Sequence, residues 1–237
     1  MIQAVFFDFN GVVVDDEPLQ MKAYQEVLGR EGLTVTEAEY YGSMGMHDVA
    51  FLRTAYARAG RELDDDTLRR VIEAKTEAHR KLLGEEPPLF PGVVTFVRAM
   101  SRRHPVGLVS MARRSEIDYV LERASLASHF SVVVSAEDSA AHKPDPFCYN
   151  HALARLNATR GEEQVLHLRP DQCLVVEDSP PGIQSARAAG MRTLGVTNTV
   201  PDKALREAGA DSVTRSLADW TPDAVHHVFD TSWGKER

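Results

Sequence analysis

Four apolar runs in this chain end in residues that could do chemistry together. "QAVFFDF" delivers the carboxylate Asp8, followed two residues later by the amide Asn10. "PVGLVS" ends in Ser110, "FSVVVSAED" leads to "AAHKPDP" with Lys143, and "QCLVVEDS" delivers Glu177, Asp178 and Ser179. A carboxylate can attack phosphorus and form an aspartyl phosphate. A lysine and a hydroxyl can supply the charge and donors that phosphoryl oxygens require. Several carboxylates beside a phosphate would repel it. A Mg²⁺ ion resolves that conflict, because it accepts carboxylate and carbonyl oxygens and keeps phosphate oxygens and waters. Each residue also has a bland reading. Asp8 could be a strand-end cap, Ser110 a helix N-cap, Lys143 a solvated loop lysine, and Glu177-Asp178 a capping pair for the helix after Pro180-Pro181. Their succession at four strand ends favours the chemical reading.

The elements that must position these residues follow from the pattern. "QAVFFDF" reads as a buried strand halted by Asn10-Gly11. Residues 17–59 have helical texture, and "DDDTLRRVIEAKTEAHRKLL" (64–83) starts acidic and ends basic, matching a helix dipole. The run Asp64-Asp65-Asp66 is then a helix start, not a metal site. "GEEPPLFPGV" breaks the pattern with three prolines and two glycines, as a linker would. Beyond it, the strands "PVGLVS", "FSVVVSAED", "QCLVVEDS", "RTLGVTN" and "DSVTRS" alternate with helical stretches. That alternation predicts an α/β fold, a Rossmann-like parallel sheet covered on both faces. The helical block then inserts after the first strand as a cap. The expected division is a core of residues 1–15 and 88–237 and a cap of 16–87, hinged near 15–17 and 84–90. The tail "TSWGKER" is expected to fray. In open sheets of this kind, ligands bind beyond the carboxyl ends of the strands, where these polar residues fall.

The 237 residues, 43% hydrophobic and 26% charged, suffice for a large core plus a smaller domain. A net charge of −8 with no basic stripe argues against a nucleic-acid partner. It also requires local positive groups to capture any anionic substrate. No apolar run approaches a membrane span, and "MIQAVFFDFN" has no signal-peptide character, so no membrane association is expected. Cys148 and Cys173 lack metal-type spacing and read as reduced thiols in a cytoplasmic protein.

Across almost the whole chain the motifs resemble the haloacid dehalogenase superfamily, in the branch with a helical cap after the first motif and nearest its beta-phosphoglucomutase and small-phosphatase subgroup. "FFDFNGVVVDDEPLQ" is similar to the first motif, D-x-D-G-[TV]-[LI]-x-D-[ST]-E-P. "LVSMA" is similar to the second, "HKPDPFCY" to the third, and "LVVEDSPPGIQSARAAGM" to the fourth, the most specific of them. The resemblance implies Mg²⁺-dependent hydrolysis of a small phosphorylated metabolite, a sugar phosphate above all, by a monomer or weak homodimer. It implies Asp8 as nucleophile and metal ligand, the Asn10 carbonyl, Glu177 and Asp178 as further metal ligands, and Ser110 and Lys143 holding the phosphoryl group. Backbone donors near Gly11, Met111 and Ala112 would add to that hold, and Gly11 would let the backbone come close to the ligand. "GSMGMHD" (42–48) falls where the family places a substrate-selecting loop, so His47 could reach the crevice on closure, or be an exposed residue of a helix turn. Arg113 could contact a substrate anion, or with Arg114 form the polar face of a helical turn.

Position 10 departs from the motif. The family's phosphatases and mutases carry there an aspartate that protonates the leaving oxygen and then activates the water or acceptor hydroxyl. Asn10 cannot do either, although its amide could still hydrogen-bond the bridging oxygen. Three readings stay open. The enzyme takes good leaving groups such as acyl phosphates, or borrows an acid from Asp15, Asp16, Glu17 or His47. Or the chemistry is that of a phosphomutase, a phosphonatase or a dehalogenase. A phosphonatase needs a cap lysine, for which Lys22 is the candidate near the first motif, poorly placed. A dehalogenase needs no Mg²⁺, which sits badly with Glu177-Asp178. Or the protein binds a phosphorylated ligand with little turnover.

Overall fold

The computed structural model describes residues 1–159 and 167–231. Six parallel strands form one sheet: β1 (Ala4–Phe7), β2 (Val106–Val109), β3 (Val132–Val134), β4 (Cys173–Glu177), β5 (Arg192–Val196) and β6 (Ser212–Thr214). Their order is β3-β2-β1-β4-β5-β6. The chain winds outward from β1 to one side and, from β4, to the other. The direction reverses between β1 and β4, where a doubly wound sheet opens a crevice for ligands. The register pairs Phe7 with Leu108 and with Val176, so the chain leaves β1, β2 and β4 along one common edge.

The helices in chain order are α1 (Glu17–Arg30), α2 (Glu37–Tyr41), α3 (Asp48–Arg58), α4 (Asp65–Leu83), α5 (Val93–Ser101), α6 (Arg114–Arg123), α7 (Phe147–Thr159), α8 (Pro180–Ala188), α9 (Asp202–Glu207) and α10 (Pro222–Thr231). All residues of β1, β2 and β4 are buried, because both faces of the sheet are covered. Val5 and Phe7 of β1 join the apolar cluster that includes residues of α5, α6 and α10. Ala4 and Phe6 join the cluster with residues of α7 and α8 on the other face. Phe7 meets Phe96 and Phe130 edge-on at 5.8 and 6.3 Å between ring centroids. Such pairs add about 0.5–1.5 kcal/mol beyond the area they bury.

Two helices were not read from the sequence, α5 and α10. Both carry a helical apolar period, Val93, Phe96, Val97 and Met100 in one and Val225 and Phe229 in the other. Both lie beside stretches dominated by proline, glycine or polar residues. The helical texture of residues 17–59 is also not continuous. It divides at Gly32 (φ +73°), after which α1 cannot continue, and at the Gly42–Gly45 turn between α2 and α3.

Helices α1, α3 and α4 build a separate apolar cluster, with Ala23, Leu28, Leu52, Tyr56 and Val71 its most buried members. The two stretches linking it to the sheet run side by side. Val14 and Leu89 form an antiparallel bridge. Asp15 N donates to Pro88 O at 2.8 Å, and Phe90 N to Val13 O at 3.2 Å. Both cysteines are free and buried, and burial pushes the Cys173 thiol up to about 12. Among the described residues no helix is long and apolar enough to cross a membrane. The expected frayed tail lies, from residue 232 onward, outside the described residues.

Candidate active site

The edge where β1, β2 and β4 end holds a buried cluster of charges. Asp8 N donates to Val176 O at 3.0 Å, which places Asp8 beside Glu177. Lys143, in the loop before α7, bridges them. Its Nζ lies 2.6 Å from Asp8 Oδ1 and 2.5 Å from Glu177 Oε1, and it stands 5.2 Å over the Tyr149 ring. Burial alone would lower the Lys143 pKa, but Asp8 and Glu177 outweigh it and hold the ammonium charged. Glu177 also accepts from Tyr149 Oη at 2.8 Å, from Ser179 Oγ at 3.0 Å and from Asp178 N at 3.1 Å. Gly182, at the start of α8, leaves room for it, since a Cβ there would fall 1.9 Å from Glu177 Oε1. Ser110 is buried at the end of β2, where its Oγ accepts from Ala112 N at 3.0 Å. It does not cap α6, which starts at Arg114.

Asp8, Glu177 and Asp178 each bring a carboxylate oxygen within 4.8 Å of the others. Burial, and then the charge of Glu177, pushes Asp8 up to about 7. The same causes raise Asp178 well above the carboxylate range. Among the described residues Asp178 Oδ2 is buried without an aligned hydrogen-bond partner, and the nearby Thr199 hydroxyl favours its ionised form without offsetting burial. Gly11 (φ +75°) brings its backbone so close that a Cβ would fall 1.9 Å from Asp178 Oδ2. Three carboxylates against one ammonium, with an orphaned oxygen among them, is a donor set that fits a hard divalent cation. Asp8 and Asp178 have the freer oxygens, because those of Glu177 already accept several protein donors.

Asn10 takes no part in that cluster. Its amide nitrogen donates to both oxygens of Asp16, at 3.0 and 2.9 Å, and its Oδ1 lies 3.4 Å from Ser110 Oγ. Asp16 is fully buried. Behind it a second set of charges crosses from the α1–α4 block to the sheet. His79 of α4 lies 3.0 Å from Asp16 and 3.5 Å from Glu116 of α6, as ion-pair contacts and not aligned hydrogen bonds. Lys75 of α4 lies 3.0 Å from Glu116 and 3.3 Å from Asp48. Asp48 also accepts from Tyr24 Oη. Burial would lower the Lys75 pKa, but Asp48 and Glu116 raise it far above the usual value. Burial would raise Glu116, but Lys75 and His79 hold it far below the carboxylate range.

The model of the family described as haloacid dehalogenase-like hydrolase matches residues 2–190. The chain belongs to that family. Two curated relatives have similar sequences. One is a phosphorylated carbohydrates phosphatase of Thermotoga maritima, 32% identical over 217 residues and covering 90% of this chain and 94% of the relative. The other is a fructose-1-phosphate phosphatase of Escherichia coli K12, 30% identical over 192 residues and covering 81% and 95%. The crystal structure of beta-phosphoglucomutase from Clostridium difficile superposes with a TM-score of 0.84 over 98% of this chain and 99% of that one. At 19% identity it speaks for the fold alone.

In this haloacid dehalogenase-like hydrolase a cleft of about 100 Å³ lies between the sheet edge and the α1–α4 block. Asp8, Asn10, Ser110, Met111, Ala112, Lys143 and Asp178 all line it, so most of the sequence-derived site residues converge there. Gly11 and Glu177 lie beside it without lining it, and His47 and Arg113 are turned away. His47 caps α3, its Nδ1 accepting from Ala50 N at 3.2 Å, and Arg113 reaches toward Thr76 and Glu137. Both face a second hollow, at the seam between α4 and the loop after β3. The "GSMGM" part of the same loop does reach the cleft, through Ser43, Met44, Gly45 and Met46. The lysine that α1–α4 bring to the cleft is Lys75, whereas Lys22 is exposed elsewhere. Sequence reading also missed Tyr24, Tyr40, Asp48 and His79. One signal was present. In α4, Lys75 and His79 fall in the same helical stripe as the buried Leu68, Val71 and Leu83.

Proposed function

We propose that this chain is a Mg²⁺-dependent phosphomonoester hydrolase that takes a small phosphorylated carbohydrate and forms an aspartyl phosphate on Asp8. The observation that carries this reading is the Asp8–Lys143–Glu177 bridge beside the orphaned Asp178 oxygen, at the switch point of the sheet. Asp8 attacks phosphorus in line, and the bond to the leaving oxygen breaks on the opposite side. Lys143 and Ser110 hold phosphoryl oxygens, and the backbone N–H of Met111 lies at the cleft to add a donor, whereas those of Gly11 and Ala112 already donate to Val14 O and Ser110 Oγ. Asp8, Asp178, Glu177 and the Asn10 carbonyl would hold the ion. When bound, it neutralises the carboxylates and the incoming phosphate together. The carbohydrate preference rests on the named substrates of the two relatives and on a cleft wall that mixes hydroxyls, carboxylates and Lys75. That Lys75 is held as an ammonium by two carboxylates speaks against Schiff-base chemistry, which needs a free amine.

The rival reading, capture of a phosphorylated ligand with little turnover, has one observation in its favour. The Asn10 amide is tied to Asp16 and not free to serve the leaving oxygen. Hydrolysis of 4-nitrophenyl phosphate separates the two, because that leaving group hardly needs an acid. Release that requires Mg²⁺ and vanishes in EDTA and in Asp8→Ala supports the hydrolase. Binding of orthovanadate without any release supports capture alone. A screen of phosphorylated sugars and sugar alcohols then names the substrate.

A further inference from the structure

A leaving alkoxide needs a proton, and Asn10 has none to give. The sequence offers four candidates to replace it, Asp15, Asp16 and Glu17 after the first strand and His47 in the loop before α3. Asp15 is exposed and does not line the cleft. Asp16 is sealed behind Asn10, with His79 on its far side. His47 faces the other hollow. Glu17 alone of the four lines the cleft, from the first turn of α1. Glu17 comes to the cleft from α1 and Asp8 from the end of β1, and an in-line displacement on Asp8 sends the leaving oxygen away from the sheet edge.

The other cleft carboxylates are committed elsewhere. Asp8 and Asp178 belong to the charge cluster, and Asp48 is held by Lys75 and the Tyr24 hydroxyl. Among the described residues Glu17 accepts a hydrogen bond from Tyr40 Oη at 2.6 Å and forms no ion pair. The titratable groups around it are Asp16 beside it, Tyr24 of α1, Tyr40 and Tyr41 of α2, Lys75 and His79 of α4, and Asp178 across the cleft.

We propose that Glu17 is the general acid and base of this enzyme, a catalytic carboxyl that does from the cap side what position 10 does elsewhere in the family. The proposal rests on the hydrolase reading above. In the first step Asp8 forms a bond to phosphorus, the bond to the bridging oxygen breaks, and that oxygen takes the Glu17 proton and leaves as an alcohol. In the second step a water attacks the aspartyl phosphate. Glu17, now a carboxylate, takes one of its protons, Asp8 regains its carboxylate, and inorganic phosphate departs. Burial, and then the charge of Asp16, pushes Glu17 up to about 7, while the Tyr40 hydroxyl opposes them. A carboxyl of that acidity serves in both directions near neutral pH.

The test compares 4-nitrophenyl phosphate with phenyl phosphate, whose leaving group is the poorer, across pH 5.5 to 9 as assay range. In the native enzyme kcat/KM for phenyl phosphate falls on the alkaline side as Glu17 deprotonates. In Glu17→Gln that limb is lost, and phenyl phosphate turnover drops relative to nitrophenyl phosphate by roughly a hundredfold. Tyr40→Phe is the second variant. It removes a donor that favours ionised Glu17, so the alkaline limb moves to higher pH. An unchanged substrate ratio in Glu17→Gln, or a limb that stays in place in Tyr40→Phe, overturns the assignment. Absence of Asp8-dependent release from nitrophenyl phosphate in the native enzyme defeats the hydrolase reading itself, and the acid with it.

Discussion

Two buried charge clusters meet at the cleft, and they are balanced differently. The one at the sheet edge sets Asp8, Glu177 and Asp178 against a single lysine. The one at the seam between α4 and α6 sets Asp16, Asp48 and Glu116 against Lys75 and His79, with the Asn10 amide as a further donor. The first is short of two positive charges, the second of one, which the Asn10 amide partly offsets. Each holds a buried carboxylate oxygen without an aligned hydrogen-bond partner, Asp178 Oδ2 in the first and Asp48 Oδ2 in the second. A site that must bind cation and phosphate is left unfinished by the protein, whereas a site that must hold two blocks of structure together is closed by it. Position 10 lies where they touch. An aspartate there would add a fourth carboxylate to the seam, and the amide avoids this.

The largest expected effect breaks the unfinished side. Asp8→Asn keeps the shape but removes the nucleophile, and Mg²⁺-dependent release from 4-nitrophenyl phosphate should fall by roughly a thousandfold or more. Retention of even a tenth of the activity would remove Asp8 from the reaction. On the closed side, Lys75→Met leaves Asp48 and Glu116 buried without their cation. That should cost about 3–5 kcal/mol in urea denaturation, because both pair members are buried. A loss below about 1 kcal/mol would mean the seam is open to water in solution.

Metal removal separates the clusters. Mg²⁺ at a hundredfold above its Kd should stabilise the native protein by about 2.7 kcal/mol. Asp178→Asn should lose most of that gain, yet without metal it should be more stable than the native chain. It removes one of three mutually repelling buried carboxylates. A metal-free variant less stable than the metal-free native protein would show that the cluster is balanced without a cation.

The two clusters also differ in how far they could be read in advance. Asp8, Ser110, Glu177 and Asp178 sit at or just after a strand end, Lys143 in the loop between β3 and α7, and a parallel sheet brings all such ends and the loops that leave them to one edge. Short-range pattern plus one topological rule therefore suffices. The seam has no such rule. Lys75 and His79 meet Glu116 and Asp16 only because α4 packs on α1 and its buried stripe continues toward α6, which depends on the angle between two blocks. His47 illustrates the limit. It lies in the loop that reaches the cleft, but as the N-cap of α3 its ring is turned back on its own helix. The two unread helices, α5 and α10, show the same weakness at the level of the fold. Their apolar period is visible, but only the uncovered face of the sheet requires it to be used.

The seam changes what a substitution at position 10 can reveal. Asn10→Asp brings a carboxylate into hydrogen-bond range of both Asp16 oxygens and removes the donor they have. It should cost about 1–3 kcal/mol of stability. Its effect on turnover is then confounded by that repulsion. Asn10→Asp with Asp16→Ser restores the residue types of the family motif at both positions. The double variant should recover the lost stability and raise turnover of phenyl phosphate above that of the single variant. If the single variant is as stable as the native protein, the Asn10–Asp16 contact does not hold the seam.

The smallest expected effect is a dependence of seam stability on pH. Burial would lower the His79 pKa from 6.5, but Asp16 and Glu116 raise it above that value. Its contribution is therefore full below pH 6.5 and is lost as pH rises through the folded-state value. Glu116 is held far below its ordinary 4.5, so its contribution is present above pH 4.5 and lost only as pH falls further. The seam should be tightest between these limits and loosen on the alkaline side. Glu17, raised to about 7, acts in the same direction, because the folded state keeps its proton where the unfolded chain has lost it. Thermal denaturation from pH 5.5 to 9 as assay range, at saturating Mg²⁺, resolves the two. His79→Gln should flatten part of the alkaline decline and Glu17→Gln another part, with the two changes adding in the double variant. An alkaline slope unchanged in His79→Gln would mean that the imidazole carries no proton at the seam, and that Lys75 alone offsets Glu116.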